Sequence, residues 1–276
     1  MSKGHNKVKT WFRAAVAGGL PLRLACLLFG CIAGPQTVAA EDRIVPPVFI
    51  AHAGGEINGQ AYTNSLEAFN FNYAKGFRFF EVDLSWTADD ELVATHDWEV
   101  FIDTHAGASS GSIPTKAQFL KYKSTQGLTQ LSFDDILKWD EEKGDAYVIT
   151  DVKTDNLKAI NRIPANLRGP NSIIIPQVYS FFEYDQAIAL GFKNIILTLY
   201  KMRIDPVARL EFATVRKPFA VTMHWPLVRT GLARLLQRNN TVVYAHTVND
   251  METFLELQSL GVHGIYTDAL FGVAAE

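Results

Sequence analysis

Cysteine is scarce in this sequence: the chain has two, Cys26 and Cys31, and both lie near the amino terminus. From residue 41 onward there is no thiol, which excludes a disulfide, a cysteine-ligated metal and a cysteine nucleophile in that part of the chain. The 276 residues are 48% hydrophobic, which is enough to bury a large core without covalent cross-links. We therefore predict one sizeable domain that is held together by packing.

The sequence also lacks an excess of basic over acidic residues. Of the 26 Lys and Arg residues, five fall within the first forty positions, where there is no acid, so 21 remain against 29 Asp and Glu. This balance of −8 opposes nucleic-acid binding, which depends on basic side chains that neutralise phosphates. The sequence predicts no nucleic-acid partner, and any phosphate bound here would need a local metal ion or basic group.

The apolar run at residues 24–33 is shorter than the roughly 20 residues that a membrane-spanning helix requires. It follows a basic stretch and precedes the small residues at 38–40, as in a signal peptide with its cleavage site. We therefore predict a signal peptide over residues 1–40 and an exported mature protein, periplasmic or secreted, that begins at Glu41. An uncleaved anchor and lipidation at Cys31 are the alternatives.

Short, β-rich apolar runs alternate with stretches of helical spacing through the rest of the chain. The eight predicted strands cover residues 48–51, 77–84, 147–152, 173–178, 194–199, 219–223, 241–245 and 262–266. Predicted helices cover residues 65–75, 133–142, 181–190, 227–237 and 251–260, with Asn64 and Ser132 as candidate N-caps. This alternation indicates a parallel sheet, and eight strands favour a single-domain TIM (β/α)8 barrel over residues 41–276. An open doubly wound sheet is the alternative.

Residues 98–129 interrupt the alternation. The segment is rich in Gly, Ser and Thr and follows a short strand-like run at 92–95. Long segments of this kind in compact domains are usually functional or mobile, so we expect it to lie over the barrel mouth, although a plain surface excursion is the alternative. A lipid substrate would be favoured by an exposed apolar rim made of its aromatic residues, Trp98, Phe101, Phe119 and Tyr122.

Carboxylates lie at the carboxyl ends of two of the predicted strands, where TIM barrels carry their active sites. Glu81 and Asp83 are two residues apart, so both point to the same side of their strand, and Asp151 and Lys153 repeat this spacing. An Asp-x-Lys pair alone is usually an ion pair, but converging buried carboxylates are costly without a cation. Oxygen ligands suit a hard divalent ion, so the sequence predicts a site for Mg²⁺ or Ca²⁺.

Two histidines, His52 and His96, also end strand-like runs. Either alone would more often be a structural histidine, but beside a metal site the pair can act as general acid and base.

The order of these motifs resembles the glycerophosphodiester phosphodiesterase family. His-x-Gly begins at His52, Asn-Ser-x-x-Ala at Asn64, Glu-x-Asp at Glu81 and His-Asp at His96. A carboxyl-terminal signature fits as well, with Thr-Val-Asn at 247–249 and Gly-Val-His-Gly-Ile-Tyr-Thr-Asp at 261–268. The resemblance extends over residues 49–268 and implies a TIM-barrel phosphoric diester hydrolase.

The resemblance also implies residue roles. The acid/base pair would be His52 and His96, and the divalent metal would be held by Glu81, Asp83 and Asp151. Lys153 would bind a phosphate oxygen. Asn64 would either orient the site or serve only as a helix cap. Other strand-end candidates for substrate contacts are Gln177, His224 and His246.

Three departures from the family pattern leave the substrate open. Ala53 stands where the family usually has Arg, Asp151 where it has Glu, and His246 where it has Trp before Thr-Val-Asn. Ala53 and the Asp-x-Lys pair resemble the sphingomyelinase D-like branch of the superfamily.

The resemblance implies hydrolysis of a glycerophosphodiester to glycerol 3-phosphate and an alcohol. A phospholipase of C or D type, acting on intact or lyso-phospholipid through a cyclic phosphate, is the first alternative. A non-catalytic headgroup-binding protein on the same scaffold is the second. The expected partner is a small phosphodiester or a phospholipid headgroup, with peripheral membrane contact in the lipid case. The sequence leaves open the alcohol, the metal, the histidine that acts as base and the oligomeric state.

Overall fold

The computed structural model describes residues 44–106, 112–124, 126–169 and 172–270. The predicted signal peptide, residues 1–40, lies outside this part of the chain. Among the helices in the described ranges, none has the length and apolar character needed to cross a membrane.

The strands are β1 (Phe49–Ala51), β2 (Phe79–Trp86), β3 (Leu92–Ala94), β4 (His105–Ala106), β5 (Lys123–Ser124), β6 (Tyr147–Val152), β7 (Ile174–Val178), β8 (Ile196–Thr198), β9 (Ala220–His224), β10 (Val243–His246) and β11 (Gly264–Thr267). The α-helices are α1 (Leu66–Lys75), α2 (Trp98–Thr104), α3 (Lys116–Phe119), α4 (Phe133–Lys143), α5 (Asn156–Arg162), α6 (Phe181–Ala189), α7 (Pro206–Arg216), α8 (Trp225–Val228), α9 (Leu232–Arg238) and α10 (Met251–Ser259).

Eight of these strands form a closed parallel barrel. Their order is β1, β11, β10, β9, β8, β7, β6 and β2, and β2 pairs back to β1 through Phe80 and Ala51. Strand β3 runs antiparallel to the end of β2 and lies outside the ring. The TIM (β/α)8 barrel predicted from the sequence is confirmed, and each of the eight predicted strands overlaps an observed barrel strand.

Local signals in the sequence set the helix ends. Ser132 Oγ accepts a hydrogen bond from the backbone of Asp135, whose side chain caps Ser132 in return, so the predicted N-cap of α4 is confirmed. The helix predicted over 227–237 is divided into α8 and α9, because Gly231 lies between them with a φ of 87°.

The irregular segment at 98–129 packs around its own small core. Phe101 and Phe119 are 3% and 0% exposed and pack against Val93, with Trp98 and Tyr122 partly buried beside them. The exposed aromatic rim considered from the sequence is therefore wrong for Phe101 and Phe119, whose rings stabilise the segment itself.

Candidate active site

The barrel interior has two layers, because side chains on a strand alternate between its faces. Each barrel strand places one residue in a mainly apolar layer: Ile50, Phe79, Ile149, Ile175, Ile196, Ala220, Tyr244 and Tyr266. The residue two positions later points into the same interior at the carboxyl end of the strand or just beyond it. Those eight are His52, Glu81, Asp151, Gln177, Thr198, Thr222, His246 and Asp268. The strand register thus gathers a ring of polar groups where TIM barrels place their chemistry.

Three buried carboxylates converge in this ring. Glu81 and Asp83 lie on β2, and Asp151 lies opposite Asp83 in the β2–β6 pairing. One oxygen from each lies within 4.8 Å of the others, and the residues are only 1%, 1% and 8% exposed. Glu81 Oε1, Asp83 Oδ1 and Asp151 Oδ1 accept no hydrogen bond. Burying such oxygens without a hydrogen bond is costly, so the arrangement is that of a ligand set for a cation.

The second oxygen of each β2 carboxylate is anchored by the loop that follows β1. Glu81 Oε2 accepts the backbone N–H of Ala53 at 2.7 Å. Asp83 Oδ2 accepts from Asn64 Nδ2 at 3.1 Å, and Asn64 Oδ1 accepts the backbone N–H of Asp83 at 3.0 Å. The prediction of Asn64 as a helix cap is wrong, because Ser65 caps α1. Asn64 is 1% exposed and engaged with Asp83 at both ends of its amide, which is the geometry of a positioning residue rather than a substrate contact.

Lys153 lies at the same site. Its Nζ is 2.5 Å from Asp151 Oδ2 and 3.2 Å from Asp83 Oδ1. Burial by itself would lower the pKa of Lys153, but the charges of Asp151 and Asp83 raise it above its ordinary value. The side chain is therefore a fixed positive charge beside the carboxylates, and it remains 26% exposed toward the barrel mouth.

The electrostatics of the carboxylates agree with a cation site. Burial, followed by the charge of Asp83, raises the pKa of Glu81 to about 8. Burial also raises the pKa of Asp151. A divalent ion would reverse these shifts by stabilising the ionised forms. The all-oxygen donor set, in which one oxygen of each carboxylate accepts no hydrogen bond, fits Mg²⁺ or Ca²⁺.

His52 is held by a carboxylate that the sequence analysis did not identify as functional. His52 Nδ1 lies 2.8 Å from Asp268 Oδ1, and its Nε2 lies 3.9 Å from Glu81 Oε2. Asp268 Oδ2 accepts from Asn249 Nδ2 at 2.6 Å, and Asn249 Oδ1 accepts the backbone N–H of Asp268 at 2.8 Å. Burial alone would lower the pKa of His52, but the hydrogen bond to Asp268 and the charge of Glu81 raise it to about 9. Asp268 lies two residues beyond Tyr266, so strand alternation places it at the carboxyl end of β11, and this spacing could have identified it as a site residue.

His96 has a similar partner in a more open position. Its Nδ1 lies 2.8 Å from Asp97 Oδ2, and the two side chains are 40% and 41% exposed. The ring of Tyr62 contacts both histidines edge-on, with centroid distances of 4.6 Å to His52 and 5.6 Å to His96. Tyr62 has a φ of 60°, which is a strained conformation for a bulky residue. No sequence motif pointed to Tyr62 either.

Two uncharged polar side chains, Gln177 and His246, lie in the opposite half of the barrel mouth. Gln177 Oε1 accepts the hydroxyl of Tyr266 at 2.9 Å. Burial and the nearby His224 lower the pKa of His246 to about 3, so this imidazole is uncharged, and its Nε2 has no hydrogen-bond partner. Both residues line a cavity of about 30 Å³ together with His52, Glu81 and Asp151. His224 is exposed, with its ring centroid 5.9 Å from that of His246.

This arrangement places three carboxylates, the ammonium group of Lys153 and the imidazoles of His52 and His96 around one barrel mouth. Such a set can stabilise charge on a phosphoryl group and move protons at two positions.

Comparison with known proteins agrees with this chemistry. The model of the glycerophosphoryl diester phosphodiesterase family matches residues 52–270. Glycerophosphodiester phosphodiesterase GDPD4 of Arabidopsis thaliana is 23% identical over 244 residues, which cover 80% of this chain and 70% of the plant protein.

Solved structures share the fold. A phosphodiesterase from Oleispira antarctica in complex with the product sn-glycerol-3-phosphate has a TM-score of 0.64 and 19% identity, over 80% of this chain and 93% of that one. A glycerophosphodiester phosphodiesterase from Thermotoga maritima has a TM-score of 0.61 and 15% identity, over 82% and 96%. The chain belongs to the glycerophosphoryl diester phosphodiesterase family and is a phosphoric diester hydrolase.

Proposed function

We propose that the protein hydrolyses glycerophosphodiesters to glycerol 3-phosphate and an alcohol, with a divalent metal ion and a histidine acid/base pair. One observation carries the proposal: three buried carboxylates each keep one oxygen free of hydrogen bonds, beside two imidazoles that each have a carboxylate partner. The product bound to the Oleispira antarctica phosphodiesterase supports glycerol 3-phosphate as the product here.

Glu81, Asp83 and Asp151 would hold the metal, which we propose to be Mg²⁺ or Ca²⁺ because every donor is a carboxylate oxygen. When bound, the ion supplies positive charge to a phosphoryl oxygen. Asn64 and the backbone of Ala53 position two of these carboxylates from outside.

Lys153 supplies the second positive charge. Its Nζ contacts Asp83 and Asp151, so a bound metal would compete for the same oxygens. We propose that Lys153 then turns toward a non-bridging phosphate oxygen, because its side chain is already partly open to the barrel mouth. Gln177 and His246 contribute neutral polar groups to the same cavity and are proposed substrate contacts.

His52 and His96 perform the proton transfers. One histidine takes a proton from the attacking water, and the other gives a proton to the departing alkoxide. Asp268 and Asp97 fix the orientation of the two rings through their Nδ1 atoms, which leaves each Nε2 for the reaction.

The lipase alternative differs in its nucleophile. A substrate hydroxyl beside the phosphate would replace water and give a cyclic phosphate, and the same histidines would serve. The family assignment and the intact set of polar groups favour an enzyme over the headgroup-binding alternative.

The test is a product analysis by ³¹P NMR. Protein from Glu41 onward is incubated with sn-glycero-3-phosphocholine and, separately, with a lysophospholipid, in Mg²⁺, in Ca²⁺ and in EDTA. We expect metal-dependent release of glycerol 3-phosphate from the first substrate, abolished in His52→Ala. A cyclic product from the lysophospholipid alone would assign the protein to the lipase alternative, and no turnover with retained metal binding would refute the hydrolase proposal.

We further propose that the protein is exported, on the basis of residues 1–40. Mass spectrometry of the protein from its native host would give a mature chain that starts at Glu41. An intact amino terminus would contradict cleavage after Ala40. A lipid adduct on Cys31 would show that the protein is anchored as a lipoprotein instead.

A further inference from the structure

A second, larger cavity adjoins the polar ring on the side of β3. It has a volume of about 630 Å³ and lies beside His96 and Tyr62. Its walls come from the loop before α1, the end of β3, the start of the 98–129 segment and the chain that leads into α4. The ring of Tyr62 contacts both histidines and lines this cavity together with His96, so the cavity borders the site of proton transfer.

The exposed lining of this cavity is mainly apolar. Carbon surface comes from Ala61, Ala94, Leu128, the Tyr62 ring and the largely buried Phe101, and the remaining wall consists mostly of uncharged Gln, Thr and Ser side chains. Among the lining residues in the described part of the chain there is no Lys or Arg. The one acid, Asp97, is already paired with His96.

This lining disfavours a charged ligand, because a buried charge without a partner is costly. The phosphate therefore belongs to the polar ring, where Lys153 and the carboxylates lie. The volume is in the range of cavities that enclose drug-sized ligands and exceeds what a two-carbon alcohol would fill. An apolar chain gains free energy from this surface in proportion to the area that it buries.

We propose that the cavity binds the alcohol part of the phosphodiester and selects an alcohol that carries an apolar chain, as in a diester of glycerol 3-phosphate with a long-chain alcohol. This inference rests on the proposed function of the site. In the reaction, water oxygen bonds to phosphorus while the bond from phosphorus to the alcohol oxygen breaks. One histidine takes the water proton, and the other gives a proton to the chain-bearing alkoxide.

The experiment uses a homologous series of sn-glycerol 3-phosphate diesters with linear alcohols from ethanol to octanol, at concentrations below micelle formation. Each fully buried methylene is worth about fourfold in binding. Partial burial over the added methylenes predicts a rise in kcat/KM of at least about tenfold from the ethyl to the octyl diester.

The variant Gln130→Trp places an indole in the cavity from a partly buried lining position. We expect the chain-length gain, measured as the ratio of kcat/KM for the octyl and ethyl diesters on the same protein, to fall below threefold in this variant. Gln237→Trp on the exposed face of α9 is the matched control and should keep the full gain.

The outcomes separate the two proposals. Turnover of the ethyl diester with no chain-length gain in the wild-type protein would overturn the cavity proposal and leave the hydrolase proposal standing. Turnover of none of the diesters, in the presence of metal, would instead refute the hydrolase proposal. The wild-type series decides the question even if Gln130→Trp does not fold.

Discussion

Two histidine–carboxylate pairs of equal length but different burial give a sharp prediction. The bonds His52–Asp268 and His96–Asp97 are both 2.8 Å long. The first pair is 12% and 6% exposed, and the second is 40% and 41% exposed. If burial determines how much each histidine–carboxylate hydrogen bond contributes to catalysis, Asp268→Asn should lower kcat far more than Asp97→Asn.

The magnitudes follow from the two environments. A buried hydrogen bond to a charged group is worth about 1.5–3 kcal/mol, so Asp268→Asn should lower kcat by about 10- to 150-fold. An exposed ion pair is worth about 0.2–1 kcal/mol, so Asp97→Asn should lower kcat by less than about fivefold. Both substitutions keep the size of the side chain. In Asp268→Asn, the new amide would make a polar contact with Asn249 that replaces the present hydrogen bond from Asn249 Nδ2 to Asp268 Oδ2.

The assay is steady-state hydrolysis of sn-glycero-3-phosphocholine at saturating metal, with kcat and KM determined separately. Urea unfolding of each variant is the control, because Asp268 also bonds Asn249 and its loss would reduce stability as well. Equal effects of the two substitutions, or a larger effect of Asp97→Asn, would show that burial of the His52 pair does not control its role.

Three further predictions concern the metal and stability. A divalent ion at about 100 times its dissociation constant should stabilise the protein by about 2.7 kcal/mol, which is measured as a rise in melting temperature. Asp83→Asn should abolish this rise. A rise of wild-type size in the variant would contradict the assignment of Asp83 as a metal ligand. Burial, followed by the charge of Asp145, raises the pKa of Asp140 from 3.8 to about 7. Because the folded state holds this proton more tightly than the unfolded state, the free energy of unfolding should fall as the pH rises from about 4 to 7. Asp140→Asn should remove this loss. In urea unfolding, the variant should therefore match the wild type near pH 4 and be more stable than the wild type by up to about 4 kcal/mol at pH 8. A gain of equal size at both pH values would refute the titration argument. Ser132→Ala removes the cap of α4 and should lower the free energy of unfolding by about 1 kcal/mol in the same assay, whereas Ser259→Ala at the far end of α10 should have a smaller effect.

The barrel was predictable because its signals are local. Each strand is a short apolar run between helical stretches, and the acids at Glu81, Asp83 and Asp151 follow from strand alternation and the carboxyl-end rule. Helix ends were harder to predict. The choice between Asn64 and Ser65 as the cap of α1 depends on whether Asn64 is drawn away by Asp83, which is a tertiary contact.

Residues that act through long-range contacts were missed for the same reason. Asp268 is 216 positions from His52, and only the closed ring of strands brings them together. Tyr62 lies in a loop without a periodic pattern, so nothing local indicates that its ring contacts His52 and His96. For Phe101 and Phe119 the sequence left an exposed rim open, since composition alone does not distinguish such a rim from the small core that these residues form.

The central claim is that Glu81, Asp83 and Asp151 hold the metal on which turnover depends. The most direct measurement is the hydrolysis rate of EDTA-treated protein as Mg²⁺ or Ca²⁺ is added back, for the wild type and for Asp151→Asn. The account predicts negligible turnover in EDTA, recovery along a one-site saturation curve in the wild type, and at least a hundredfold weaker recovery in the variant. Full turnover in EDTA, or recovery in Asp151→Asn at the wild-type metal concentration, would contradict it.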